Sequence, residues 1–118
     1  MGDQFGSRLF YAMFSVKGDV SEDIGIKMVE KIVDEIGMER AVGESISRYP
    51  VNGRGGVGYT FFQPITESFL AFDAWPDLKG AYLVICSCKP FSVAKVQETM
   101  LAFGLKVMDG RMDSLGIY

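Results

Sequence analysis

Histidine is absent from this chain of 118 residues. No imidazole is available to move protons near neutral pH, so any general base must come from elsewhere, with a carboxylate the first choice. Cysteine is scarce. Cys86 and Cys88 stand two apart, on one face if the segment is a strand, and a disulfide at that spacing is geometrically poor. Free thiols and a cytoplasmic location follow. No run of eighteen apolar residues exists to span a membrane. The N-terminal segment 1–8 lacks the charged and then apolar layout of a signal peptide. Met1-Gly2 with Ser7 is a poor myristoylation match, because the hydroxyl residue is wanted one position earlier. No basic cluster stands out and the net charge is −3, which argues against nucleic acid or an anionic membrane as partner. That mild acidity suits a cationic small molecule. There is no metal-ligand pattern, internal repeat or linker, so 1–118 reads as a single domain. Apolar residues at 48% and aromatics at 13% exclude disorder and suffice for one modest core.

Strong local patterns fill the chain. Leu9 to Val16 reads as a strand, apolar on both alternating sets, and Gly18-Asp19 ends it. Asp19 or Ser21 can cap a helix whose first turn carries Glu22 and Asp23. Met28, Val29, Ile32, Val33 and Ile36 recur at helical spacing, and Gly37 supplies a stop. The weakly patterned stretch 39–49 ends as a strand at Tyr49-Pro50, and 52–56 is a glycine-rich turn. That turn has neither the spacing nor the lysine of a phosphate-binding loop. Val57 to Phe62 and Ser68 to Trp75 read as strands separated by 63–66, and Gly80 to Cys88 is another. Pro90 and Ser92 open a second helix with Val93, Val96, Met100 and Phe103 inward, closed by Gly104. Leu105 to Met108 is a last short strand.

Two helices with five or six mostly antiparallel strands make an α+β fold, a two-layer sandwich. Two helices cover only one face of such a sheet, yet several strands are apolar on both faces. Something must bury the second face, and a second copy of the sheet is the simplest answer. The pattern therefore predicts a homodimer with sheets face to face.

One constellation carries chemistry. Glu67-Ser68 lies at the start of an apolar strand, Trp75-Pro76-Asp77 begins seven residues after the serine, and Cys88 lies twenty residues after it. A Glu-Ser dipeptide alone means little. With Trp-Pro-acid and a cysteine at these spacings, the chain resembles the small microbial S-adenosylmethionine decarboxylases along most of its length. The resemblance implies an α/β/β/α pairing of two chains, which agrees with the dimer expected from patterning. It also implies self-cleavage between Glu67 and Ser68, leaving a pyruvoyl group derived from Ser68. That carbonyl combines with the substrate amine and draws electrons as CO₂ leaves.

The resemblance assigns roles residue by residue. Ser68 matches the pyruvoyl precursor and Cys88 the proton donor after decarboxylation. Thr60 falls where the family has a serine that assists processing. Trp75 and Asp77 match a Trp-Pro-Glu segment whose acid accepts a ribose diol, with Asp one methylene shorter. Tyr49 falls near an aromatic that stacks on adenine. Two family histidines are missing: Phe69 follows the serine, and Asp73 stands five residues after it, where the second histidine aids processing. An ionised Asp73 would be the replacement base, weak at its ordinary pKa of about 3.9. Blander readings stand beside these. Cys88 and Trp75 also suit packing, and Asp73 also suits a solvent-facing position in a strand. The expected function is decarboxylation of S-adenosylmethionine in spermidine (polyamine) synthesis. Ornithine or arginine as substrate, or an uncleaved homologue that binds a metabolite or partner subunit, are the alternatives.

Overall fold

The computed structural model describes residues 8–51 and 56–116. The expected glycine-rich turn lies, apart from Gly56, outside the described residues, as does the N-terminal segment 1–7. In chain order the elements are β1 (Arg8–Lys17), α1 (Glu22–Glu35), β2 (Ser45–Pro50), β3 (Val57–Ile65), β4 (Ser68–Trp75), β5 (Gly80–Ser87), α2 (Val93–Ala102) and β6 (Lys106–Gly116), with a 3₁₀ turn at Pro76–Leu78. The strands form one six-stranded sheet in the order β2-β3-β4-β5-β1-β6, every neighbouring pair antiparallel. Both helices lie on one side, so the architecture is the expected α+β sandwich.

Strand alternation sorts the residues into two faces. On the helix side, Phe61, Phe72, Leu83 and Phe14 run across four strands in one row. Gln63, Leu70, Ile85 and Ala12 make the next, and both rows are buried. Met28, Val29, Ile32 and Val33 of α1 and Val96 and Met100 of α2 close over them. Ser92 caps α2, its hydroxyl accepting from Lys95 N–H at 3.2 Å. Gly25 lets α1 approach the sheet closely: a Cβ there would collide with the Tyr59 hydroxyl and come within 2.9 Å of the Phe72 ring. That Tyr59 hydroxyl donates to the carbonyls of Val20 and Ser21 and anchors the loop before α1. Arg48 of β2 donates through two nitrogens to Glu22, at 2.7 and 2.8 Å, and holds that carboxyl below the usual carboxylate range.

The other face is apolar and bare. Its central row is Phe62, Ala71, Val84 and Met13, with Phe69, Cys86 and Tyr11 on one side and Tyr82 on the other. Met13 is 47%, Phe62 38% and Tyr82 53% exposed, far above what interior strands of a covered sheet show.

Two boundaries differ from expectation. β3 runs on through Gln63-Pro64-Ile65, leaving only Thr66-Glu67 as the turn to β4. Pro64 is tolerated because its carbonyl accepts from Ala41 N–H at 3.0 Å. Its missing N–H therefore points to the same open side, beyond the end of β2, and costs no bond to β4. The final strand extends to Gly116 rather than stopping at Met108. It is a sheet edge paired only with β1, so residues 109–113 stay exposed and mostly polar, without the alternation that marks a buried strand.

Candidate active site

The Glu67–Ser68 peptide sits at the corner of the β3–β4 hairpin, where Ile65 faces Ser68 across a two-residue turn. The turn is braced on both flanks. Thr66 N–H donates to the Glu39 carbonyl at 3.1 Å, and Cys88 N–H donates to the Glu67 carbonyl at 3.0 Å. The second contact matters chemically. The Glu67 carbonyl is the one a Ser68 hydroxyl must attack, and an N–H already aimed at its oxygen is a ready oxyanion donor. Ser68 is half-buried and Cys88 exposed, so neither is sealed inside the core. Among the described residues, Glu67 Oε1 is the buried side-chain oxygen with no hydrogen-bond partner. A buried acceptor without a donor is costly, and a donor from a bound ligand would relieve it.

Ser87 completes this group and was not singled out from the sequence. It faces Ser68 directly across β4 and β5 and is fully buried. Its hydroxyl donates to the Lys89 carbonyl at 2.7 Å and accepts from Lys89 N–H at 2.9 Å. The signal available in the sequence was a serine beside the site cysteine, too common to read alone. Cys86 points to the bare face, and burial pushes its thiol pKa up, which makes it a poor nucleophile.

A second group forms elsewhere. Asp73 Oδ1 accepts from the Tyr49 hydroxyl and from Thr60 Oγ1, at 2.5 and 2.9 Å. The Tyr49 ring lies over Gly58, where a Cβ would come within 2.6 Å of it. Burial, and then the Asp73 carboxylate, raise the Tyr49 phenol above its ordinary pKa. Tyr82 stands opposite Asp73, and Trp75 meets it edge-on with ring centres 5.6 Å apart. Trp75, Tyr82, Leu78 and Met108 line a groove of about 320 Å³. Asp77 is exposed on the 3₁₀ turn, against Gly56, where a Cβ would overlap its carboxylate.

The two groups do not meet within one chain. Ser68 lies on the row with Ser87 on the helix side, whereas Asp73 and Thr60 lie on the bare face. Five residues of strand at about 3.3 Å each put Asp73 roughly 16 Å from Ser68. Within one chain the structure does not bring Asp73 and Thr60, the expected processing helpers, to Ser68: the parity and the span both separate them. Tyr49 is likewise placed with Asp73 and Gly58, away from Ser68. Glu67, Ser68 and the backbone amide of Cys88 are brought together, and so are Tyr49, Thr60 and Asp73.

No family model matches the chain, and no curated protein matches it by sequence. It does share its fold with a solved protein. The crystal structure of the adenosylmethionine decarboxylase from Aquifex aeolicus VF5 superposes with a TM-score of 0.55 at 14% identity. The match covers 92% of this chain and 90% of that one. At that identity the likeness establishes the architecture and no more.

Proposed function

We propose that the chain is a pyruvoyl-dependent decarboxylase of the S-adenosylmethionine decarboxylase type, which cuts itself at Glu67–Ser68. The single observation that carries this reading is the Cys88 N–H bonded to the Glu67 carbonyl oxygen. The shared architecture with a decarboxylase of that name supports it. S-adenosylmethionine is the proposed substrate, in spermidine synthesis in the cytoplasm, with ornithine or arginine as the amines to test beside it.

The cleavage chemistry balances on this chain's own atoms. Ser68 Oγ adds to the Glu67 carbonyl carbon and gives up its proton, and negative charge collects on the Glu67 oxygen beside Cys88 N–H. Collapse breaks the C–N bond, the Ser68 nitrogen takes a proton, and an ester results. Loss of the Ser68 α-proton expels the Glu67 carboxylate by β-elimination. The dehydroalanine left behind takes up water and releases ammonia to give the pyruvoyl group. That group, once formed, supplies an electron sink for loss of CO₂. Cys88, exposed beside the same peptide, is the proposed proton donor to the product carbon. The unpartnered Glu67 Oε1 fits a site that receives the donor groups of a cationic substrate.

Intact mass under denaturing conditions tests the proposal. Two pieces, residues 1–67 and 68–118, are expected from the native chain and one piece from Ser68→Ala. A native chain that stays whole through prolonged incubation overturns self-cleavage. One observation favours a second reading, an uncleaved homologue that binds a metabolite or partner subunit: Asp73, the expected substitute for the missing histidine, lies roughly 16 Å along the strand from Ser68. The same spectrum decides between the two.

A further inference from the structure

The buried hydroxyl of Ser87 has no place in the chemistry above, and it occupies a telling position. It sits in register with Ser68, and the residue after it supplies the N–H that meets the Glu67 carbonyl. β5 ends at Ser87, and the bond from Cys88 N–H to the Glu67 carbonyl is the terminal rung of the β4–β5 register, with no pairing beyond it to hold the Cys88 amide. A second constraint is needed there, and the Ser87 hydroxyl supplies one. It bonds both backbone groups of Lys89, at 2.7 Å to the carbonyl and 2.9 Å from the N–H, which closes residues 87–89 into a tight loop. Met38 Sδ lies 3.7 Å from the same oxygen and covers it from the α1 side. Pro90 restricts Lys89 further, since a residue before proline avoids the helical region.

We propose that Ser87 is a positioning residue, whose hydroxyl clips the 87–89 loop so that Cys88 N–H points at the Glu67 carbonyl oxygen. The inference rests on the proposed self-cleavage for its purpose, but not for its geometry. The clip is directional. An alanine at 87 keeps the strand and the burial but frees Lys89 N–H and C=O, and the Cys88 amide then loses its fixed orientation. Threonine keeps the hydroxyl and restores the clip.

The test has two arms on the full-length chain. In the first, amide hydrogen exchange is read at Cys88 by NMR in the uncleavable Ser68→Ala protein, with and without Ser87→Ala. Exchange at Cys88 is expected to rise about ten-fold or more in the double variant while core amides such as Leu83 and Ile85 keep their protection. Ser87→Thr is expected to return Cys88 to the parent rate. Unchanged protection at Cys88 in a folded Ser87→Ala protein overturns the proposal. So does a uniform loss of protection across β5 in Ser87→Ala that Ser87→Thr fails to reverse, because Ser87 would then be a packing residue. In the second arm, self-cleavage is timed by denaturing mass. Ser87→Ala is expected to slow it roughly ten-fold, a part of the 10²–10³ that outright loss of an oxyanion donor costs, and Ser87→Thr to restore it. If the native chain never cleaves, the functional reading falls while the exchange arm still judges Ser87.

Discussion

Asp73 takes both of its hydrogen bonds on one oxygen, and that asymmetry is a property of single residues. Tyr49 and Thr60 converge on Oδ1 from two neighbouring strands. Tyr49→Phe removes one of these donors at a half-buried carboxylate, and about 1 kcal/mol of stability is expected to go with it in urea titrations. Asp73→Asn is expected to lower the Tyr49 phenol pKa while leaving it above that of free tyrosine, because burial is the larger cause and survives the change. The sign follows from linkage. A phenol whose pKa is raised by folding contributes stability that is whole below the ordinary value of about 10 and is lost as pH rises through the folded value. Ultraviolet difference titration near 295 nm reads it, and an unmoved Tyr49 would sink the coupling. Residue types at this site were legible in the sequence, but company was not. The separation of Ser68 from Asp73 by five positions, an odd number, already implied opposite faces once 68–75 was read as a strand. Resemblance placed them together all the same, and strand parity sets them apart.

The elements show where periodicity informs and where it fails. β4, β5 and α1 each carry a regular apolar set facing one buried layer, so their spacing betrayed them. β6 has no buried layer along most of its length, hence no alternation to read beyond 108. A proline normally ends a strand, and only the position of Pro64 past the end of β2 lets β3 run on from Phe62 to Ile65. Gly25 is the one helix-interior residue whose absence of a side chain sets the spacing between layers. Alanine would gain about 1 kcal/mol in intrinsic helix propensity. Its Cβ would however meet Tyr59 and Phe72, both held in the sheet, and overpacking of this kind costs about 1–3 kcal/mol. Gly25→Ala is therefore expected to lower the melting temperature, and an unchanged or higher one would mean that α1 can ride further from the sheet.

At the scale of the whole molecule, one sheet face is sealed by helices and the other is left to water. The dimer expected from patterning remains the proposal that accounts for that bare face. Sedimentation is expected to give twice the mass of one chain, and Met13→Asp at the centre of the face to give one. A wild-type monomer at all concentrations would leave Phe62, Tyr82 and Met13 unexplained. The place of the Glu67–Ser68 bond carries a different consequence. Scission there assigns β1, β2 and β3 to one product and β4, β5 and β6 to the other, yet β1 is threaded between β5 and β6. The fragments would share three seams and stay interlocked as a single particle. Once melted, they would have to find each other again by diffusion, so a nicked molecule would recover its shape only at a rate that depends on how concentrated it is.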